Sequence, residues 1–552
     1  MKPNPQTAAS NGEDDRATLF WGLDARQGAM LSGILVVMVA IYLPSLRNGW
    51  VLDDRHEFID NKLIHDWSFL WNSFRYDVWW FRDPARLPQS PYYRPLENVW
   101  FAANTFLFGA NPALWHLAKI ALNVVVVALS FRVAQLLTCN VTIALLTAAI
   151  FGTMPANAGA VVYASGIPQP LSTAFELSAM ICLIQRKRDS SRGLIAAAIL
   201  YGCAVLTHES AILFPLIVAA YFLIFEGTDE ERAGGIRRFR SMLRVCAPFL
   251  FVLIAYVCAR ANALGVDSLF GLHFNATGTS YSRGFTVVRP PHSRAQVLMT
   301  LPEVLLTYLA VVSIPGFAGP AHDVDWIMHL QPIVFIDVAV LLILAAICFM
   351  LARRSLDRRI YLFCALWICL TIAPALNLDS ILWLVDDRYL YTPSFGWSLA
   401  VGVAVTAIAS RGSLARNMVG VAVAGIIALY VGSIVSGESY WHDDVAFFSR
   451  AVEIAPGIVQ NRLDLANALD NAGDYGQAAR VLESAVPLTP NDAHLHLKLA
   501  REYQKLGRVL DFEREFRNFA RLSAAMAESK EAASASDASQ PAGDAAGETP
   551  AP

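Results

Sequence analysis

Charge is what this sequence has least of. Only 16% of its 552 residues are Asp, Glu, Lys or Arg, while 55% are hydrophobic; soluble proteins carry roughly 25% charged residues. A soluble chain would have to hide this apolar excess in one core, and cores split into domains with polar surfaces before they reach such a size. The chain therefore reads as a polytopic membrane protein. Its 43 basic and 46 acidic residues leave a net charge of -3, so no basic excess exists to hold a phosphodiester backbone, and nucleic acid is excluded as a partner. Cysteine is scarce too: the eight present lie in or beside hydrophobic runs, and no hydrophilic segment carries a pair. That excludes a disulfide framework or thiolate metal centre in the soluble parts. Also missing are a phosphate-cradling glycine loop, G-x-S-x-G and H-E-x-x-H, so nucleotide hydrolysis and serine or zinc protease chemistry find no support.

What the sequence does have is spanning-length apolar runs, near 28–46, 112–137, 141–154, 169–185, 193–207, 210–226, 245–263, 332–352, 360–377, 393–410 and 416–436. The first follows a polar tail over 1–27 and ends without a small-residue cleavage signal, so it reads as a retained helix. Short loops carry Arg186, Lys187, Arg188 and Arg192; then Arg232, Arg237, Arg238, Arg240 and Arg244; then Arg353, Arg354, Arg358 and Arg359; then Arg411 and Arg416. Positive charge stays cytoplasmic. All four clusters face inward only if a shorter run at 296–316, interrupted by Pro302 and Pro315, is re-entrant or interfacial within an outside loop near 264–331. Eleven spans then leave the N-terminus inside and the C-terminus outside. In the other large outside loop, near 47–96, Trp67, Leu70, Trp71 and Phe74 recur at i, i+3, i+4, i+7, the pattern of a helix lying at the membrane interface.

After residue 436 the composition turns polar, and a period of 34 appears. Pro456 and Pro490, Leu463 and Leu497, Ala466 and Ala500, Leu469 and Tyr503, Gly473 and Gly507, and Leu482 and Phe516 are all 34 apart. This is the tetratricopeptide pattern, an α-solenoid of about two and a half repeats over 437–522. Residues 523–552, rich in Ala, Ser, Asp, Glu, Gly and Pro, hold too few large apolar side chains to fold and read as disordered.

Ionisable groups gather on the outer face. Asp53 and Asp54 follow the first span by a few residues. Neighbouring carboxylates repel, and one placed there can take a proton from a hydroxyl or hold a divalent cation such as Mg or Mn; the bland alternative is a hydrated acidic loop. Arg94, in Tyr92-Tyr93-Arg94-Pro95, can pair with a phosphate or snorkel. His116, Lys119 and Asn123 share one face of a span, as cavity-lining groups do, although Lys119 alone could reach the surface. His208-Glu209 occupies an outside turn, and Asp386-Asp387-Arg388-Tyr389 an outside entry. His322, Asp323, Asp325 and His329 match no metal motif and read as a solvated loop.

In this order, these landmarks resemble the transmembrane and tetratricopeptide-repeat O-mannosyltransferases, glycosyltransferases of the GT-C fold, in a bacterial-looking version. The resemblance rests on Asp53-Asp54; on Tyr93-Arg94-Pro95-Leu96 continuing through Asn104, Leu107, Phe108, Gly109, Asn111 and Pro112 to His116; on Asp387-Arg388-Tyr389-Leu390-Tyr391-Thr392-Pro393-Ser394-Phe395-Gly396; and on Trp441-His442-Asp443-Asp444 leading into the repeats. It implies transfer of a sugar from a polyprenyl-phosphate carrier to a hydroxyl on a protein or glycan at the outer face of a bacterial inner membrane. Asp53 or Asp54 would act on the acceptor, Arg94 and Arg388 on the leaving phosphate, and the repeats would bind the acceptor. The sequence departs from the family where a His-Pro-x-His-x-Glu run and an Arg-x-Asp are usual: Met154, Asn157 and Gly159, then Ile167 and Gln169, stand there. His208 replaces a usual lysine. These changes permit a different sugar or a degenerate enzyme. A non-catalytic scaffold for envelope proteins would be indifferent to loss of Asp53 and Asp54, and a lipid flippase would depend more on His116 and Lys119.

Overall fold

The structure is a computed structural model. It describes residues 20–85, 88–187, 191–226, 235–266, 280–282, 285–287, 293–354, 357–376 and 384–538; the expectations placed on 1–19, Arg188, Arg232 and 539–552 lie outside these. The chain divides into two compact units, Met1–Asp443 and Asp444–Pro552.

In the first unit, each of the eleven apolar runs is a helix: Ala25–Tyr42, Pro112–Thr138, Val141–Thr153, Pro168–Gln185, Arg192–Thr207, Phe214–Phe225, Gly235–Leu264, Pro332–Arg354, Arg358–Ile372, Tyr391–Ala409 and Ser413–Gly437. A helix satisfies its own backbone groups, which lipid cannot do. Among the described residues, eight helices are long and apolar enough to cross a membrane, or nine if the bent pair Val141–Thr153 and Pro155–Val162 is one span. That pair turns by 55°. The cause is Pro155, which cannot donate into the helix and holds Met154 extended at ψ 122°. Arg192–Thr207 and Glu209–Phe225 are shorter apolar helices.

Two features differ from the sequence expectation: among the described residues, eight or nine helices reach spanning length where eleven spans are expected, and the run read as re-entrant is one of them. Residues 294–313 form one continuous helix, opened by a reciprocal Ser293–Gln296 cap and carrying Pro302 inside it, and it is among the eight of spanning length. The all-α architecture holds, with a small antiparallel hairpin, Ser280–Ser282 with Phe285–Val287, as a minor addition.

The loop near 47–96 folds onto the head of the Pro112–Thr138 helix through an aromatic core. Phe58 lies 4.1 Å from Trp115 and 4.8 Å from Phe101, ring centre to ring centre, and Trp50 meets Trp115 edge-on at 5.6 Å. Phe69 and Trp80 are buried in the same cluster. The interface pattern is present as the short helix Trp67–Ser73, from which Trp67 and Trp71 project at 84% and 64% exposure.

The second unit contains helices Asp444–Ile454, Val459–Asn471, Tyr475–Ala485, Ala493–Lys505 and Val509–Ala538, each packed on the next. Most positions 34 apart behave alike: Ala466 and Ala500 are buried, as are Leu469 and Tyr503, and Gly473 and Gly507 both take positive φ just past a helix end; Leu482 is buried but Phe516 is exposed. The last helix continues into the segment read from composition as disordered. Ala, Glu, Lys and Met there have high helix propensity even without a core to join.

Candidate functional site

The strand of chain leaving the first span is turned sharply. Leu52 takes φ +54°, unusual for a residue with a branched side chain, and the Asp54 amide donates to the Val51 carbonyl at 3.1 Å. Gly49 makes this passage fit: its amide donates to the His442 carbonyl, and a Cβ there would meet that oxygen at 3.2 Å. The turn gives the two aspartates opposite environments. Asp54 is fully buried, and its oxygens accept from the Ser165 amide (2.8 Å), the Ser165 hydroxyl (2.6 Å) and the Val51 amide (3.1 Å). Burial pushes its pKa up to about 7 against those hydrogen bonds, with Asp53 adding to the rise. Asp53 keeps 47% of its side chain exposed; it faces Arg82 at 3.8 Å and the Tyr163 hydroxyl at 3.4 Å. Asp54 is therefore the anchor and Asp53 the accessible carboxylate.

Both arginines are held by acids. Arg94 grips Glu209 with two hydrogen bonds, 2.8 and 2.5 Å, and lies 3.6 Å from Glu97 and over the Tyr92 ring. Arg388 is clamped by the Asp386 carboxylate and lies 5.0 Å from the centre of the Tyr163 ring. Asp387 accepts from the Gly319 amide at 2.8 Å and pairs with His322 at 2.6 Å, so it ties the loop that follows the Arg294–Ser313 helix to the site. His322, read from sequence as part of a solvated loop, is buried by this pairing. Burial works against its proton, but Asp387 outweighs it and the pKa is raised.

His116 and Lys119 are 1% and 2% exposed. The His116 ring lies against the backbone of Asn48, Gly49 and Val162, whereas the Lys119 nitrogen has no hydrogen-bond partner among the described residues. Lys119 is within electrostatic reach of Asp54, Arg388 and Glu97. Asn123, on the same helix face, is instead used in packing, bonded to the Tyr391 hydroxyl at 2.6 Å and to the Met38 sulfur. His208 caps the turn before Glu209 through Nδ1, with the Ser210 hydroxyl at 2.7 Å, and burial pushes its pKa down to about 4.

The sequence reading missed Glu57, Tyr163 and Ser165, and gave Glu97 and Asp386 no role beyond lying near the two arginines. Glu57 is buried, with one oxygen accepting from Trp79 at 3.0 Å and the Ser165 side chain beside its carboxyl. Burial, and then the charges of Glu97 and Asp53, hold its pKa well above the carboxylate range. Glu97 rises to about 7 by burial, opposed by Arg94. Their spacing, three residues after Asp54 and after Arg94, was a usable signal; Tyr163 and Ser165, more than a hundred residues away, offered none. The departed positions are built into the floor. Met154 and Ile167 are fully buried in apolar clusters, Asn157 accepts from Ser394 at 3.1 Å, and Gln169 is buried. A Cβ on Gly159 would meet the Trp441 ring at 3.3 Å and Arg388 at 3.5 Å, so those side chains lie directly against the glycine.

The donors do not suit a divalent ion. Both oxygens of Asp54 are taken by Ser165 and Val51, Asp53 faces a guanidinium, and no group of three or more His, Cys, Asp or Glu among the described residues is arranged as a metal site.

No family model matches the chain. Among curated proteins, it is 23% identical over 512 residues to the mouse protein O-mannosyl-transferase TMTC3 and 24% identical over 544 residues to Tmtc3 of Drosophila melanogaster, in each case across 88% of this chain. Its likeness is to the protein O-mannosyltransferases. Human TMTC1 is 22% identical across 82% of the chain. The alignments cover 54–58% of these relatives, so the chain spans little more than half their length. Among solved structures, ArnT from Cupriavidus metallidurans bound to undecaprenyl phosphate superposes on 86% of this chain and 80% of its own, at 15% identity and a TM-score of 0.40.

Proposed function

We propose that this chain is an integral-membrane glycosyltransferase that moves a sugar from a polyprenyl-phosphate carrier to a hydroxyl of a protein or envelope glycan on the outer face. The observation that carries the reading is a cluster of acid and base in one site: the accessible Asp53, its buried neighbour Asp54, and within electrostatic reach of Asp54 and Arg388 the buried Lys119, whose nitrogen has no hydrogen-bond partner among the described residues. An unpaired buried cation is costly unless an anionic group completes it. A lipid-linked phosphate is such an anion, and Arg94 and Arg388, fixed by Glu209 and Asp386, stand ready to share it.

In the transfer, Asp53 accepts the proton of the acceptor hydroxyl as its oxygen bonds to the anomeric carbon. The bond from that carbon to the phosphate oxygen breaks, and its electron pair stays on the phosphate. Lys119, with the two arginines, stabilises the charge that builds there. Asp54 acts through the backbone, holding the turn that presents Asp53. If the helix Arg294–Ser313 lies along the membrane rather than across it, all four arginine clusters face inward, the N-terminus is cytoplasmic and the 34-residue repeats are outside to present the acceptor.

The test is mass spectrometry of envelope glycoconjugates and lipid-linked sugars in a deletion strain, complemented with wild type or Asp53→Asn at equal membrane level. Restoration of a missing sugar by wild type alone is the expected result, and the mass difference names the sugar. Equal restoration by both would remove Asp53 from the chemistry; no sugar change at all would favour the scaffold.

A further inference from the structure

The helix Gly235–Leu264 is longer than a bilayer needs. Its 30 residues rise about 45 Å, at about 1.5 Å each, against a hydrocarbon core about 30 Å thick. With 245–264 filling that core, the first ten residues stand in the headgroup layer. Two stripes run along them. Ile236, Phe239 and Leu243 are exposed, and the same face continues through the exposed Leu250 and Ile254 of the span, so it is the face turned to lipid. Arg237, Arg240 and Arg244, at i, i+3 and i+7, are exposed too and stand about a quarter turn away around the helix. No acid among the described residues pairs with any of the three. Glu226, the last described acid before the helix, gives both oxygens to Arg186. Arg238 differs: it shares the inward face with the buried Phe249 and Tyr256 and donates to the Leu223 carbonyl at 2.5 Å.

We propose that Arg237, Arg240 and Arg244 form a binding site for the phosphate of an anionic phospholipid, with an acyl chain lying along Leu243, Leu250 and Ile254. Three properties select that ligand. Guanidinium forks pair with phosphate oxygens two at a time, so three on one stripe hold a headgroup from several sides. A cluster of cations at a membrane surface gains from each anionic lipid it meets, whereas a zwitterionic headgroup brings no net charge to the site. The apolar stripe beside the arginines runs unbroken into the span, so the ligand that uses both stripes carries a phosphate and a hydrocarbon tail together. A dissolved phosphate or an acidic peptide would leave the stripe unused. Positive charge that only sets the orientation of the helix would need no fixed place around it; here three of the four arginines border the lipid-facing side and the fourth is spent on packing. The inference does not depend on the transfer reaction.

The full chain is placed in nanodiscs of phosphatidylglycerol and phosphatidylcholine with the same acyl chains, and the lipid it retains is read by native mass spectrometry. Wild type is expected to keep phosphatidylglycerol in preference to phosphatidylcholine. The triple variant Arg237→Gln, Arg240→Gln, Arg244→Gln should lose about 10–100-fold of that preference. The triple variant Arg237→Lys, Arg240→Lys, Arg244→Lys keeps the charge that orients the helix but not the forks, and should lose about threefold. It carries the test by itself if the glutamine variant does not insert. Asp229, Glu230 and Glu231 precede the helix outside the described residues; were they to occupy the arginines, wild type would retain the two lipids equally. That result would overturn the proposal, and so would a phosphatidylglycerol preference in the variants equal to that of wild type, which would leave these arginines with orientation as their whole role.

Discussion

The two units of this protein treat charge in opposite ways. In the C-terminal unit, cations have anions: Lys505 has Asp470 and Glu502, Arg508 has Glu483 and Asp511, Arg514 has Asp511 and Glu515, and the buried His496 has Glu515 at 2.7 Å. In the candidate site of the membrane unit, Lys119 is buried with no hydrogen-bond partner among the described residues, and the buried carboxyls of Glu57 and Glu97 lie close enough to raise one another. The first arrangement is what stability selects. The second sacrifices stability, and sequences tolerate that where a ligand completes the set.

Substitutions can break this contrast, and the largest effect belongs to Asp53. Asp53→Asn keeps the shape of a half-exposed side chain yet removes the proton acceptor, so transfer should fall about 10²–10⁴-fold with the thermal midpoint unchanged. Lys119→Met comes next and should separate the two properties. Transfer from a lipid-linked donor should drop about 10²–10³-fold, while thermal unfolding in detergent moves upward, because a buried unpaired ammonium is replaced by an apolar chain of similar length. A lowered midpoint would mean that Lys119 is structurally paired and that the contrast between the units is weaker than drawn.

Asp54 gives a smaller effect, with a pH signature. Its pKa is raised in the folded protein to about 7 from an ordinary 3.8. The folded state thus binds this proton more tightly than the unfolded state, and the contribution to stability is complete below the ordinary value and lost as pH rises through about 7. Asp54→Asn should flatten that part of the midpoint-against-pH curve relative to wild type. Its amide nitrogen would also face the Val51 or Ser165 donors, costing about 1–3 kcal/mol at all pH values.

How legible this was in the sequence depended on whether the signal was local. The apolar runs, the 34-residue period and the interface helix were readable because each is a repeating pattern along the chain, and each emerges as helices. Asp53, Asp54, Arg94, Arg388, His116 and Lys119 were all singled out, but not their division of labour. Which aspartate is buried is decided by Ser165, and which cations are spent by Glu209 and Asp386; of these, only Asp386 lies near its partner in the sequence. The helix through Pro302 and the pairing of Asp387 with His322 escaped for the same reason: tertiary packing overrides a proline or a polar loop, and nothing local announces it.

The smallest expected effect lies in the well-paired unit, and it tests whether pairing there matters at all. Arg508 and Asp511 form a charge pair at 2.7 Å, three residues apart on the surface. Two long side chains lose rotamer freedom to meet in high dielectric, so the attraction is nearly cancelled. Arg508→Ala should leave the thermal midpoint of the full chain unmoved within error. His496→Ala should lower it, because Glu515 would then lose the partner at its buried end. Equal shifts from the two variants would mean that the surface pairs act as a network through Arg514, which bridges Asp511 to Glu515, and that charge in this unit is cooperative rather than merely neutralised.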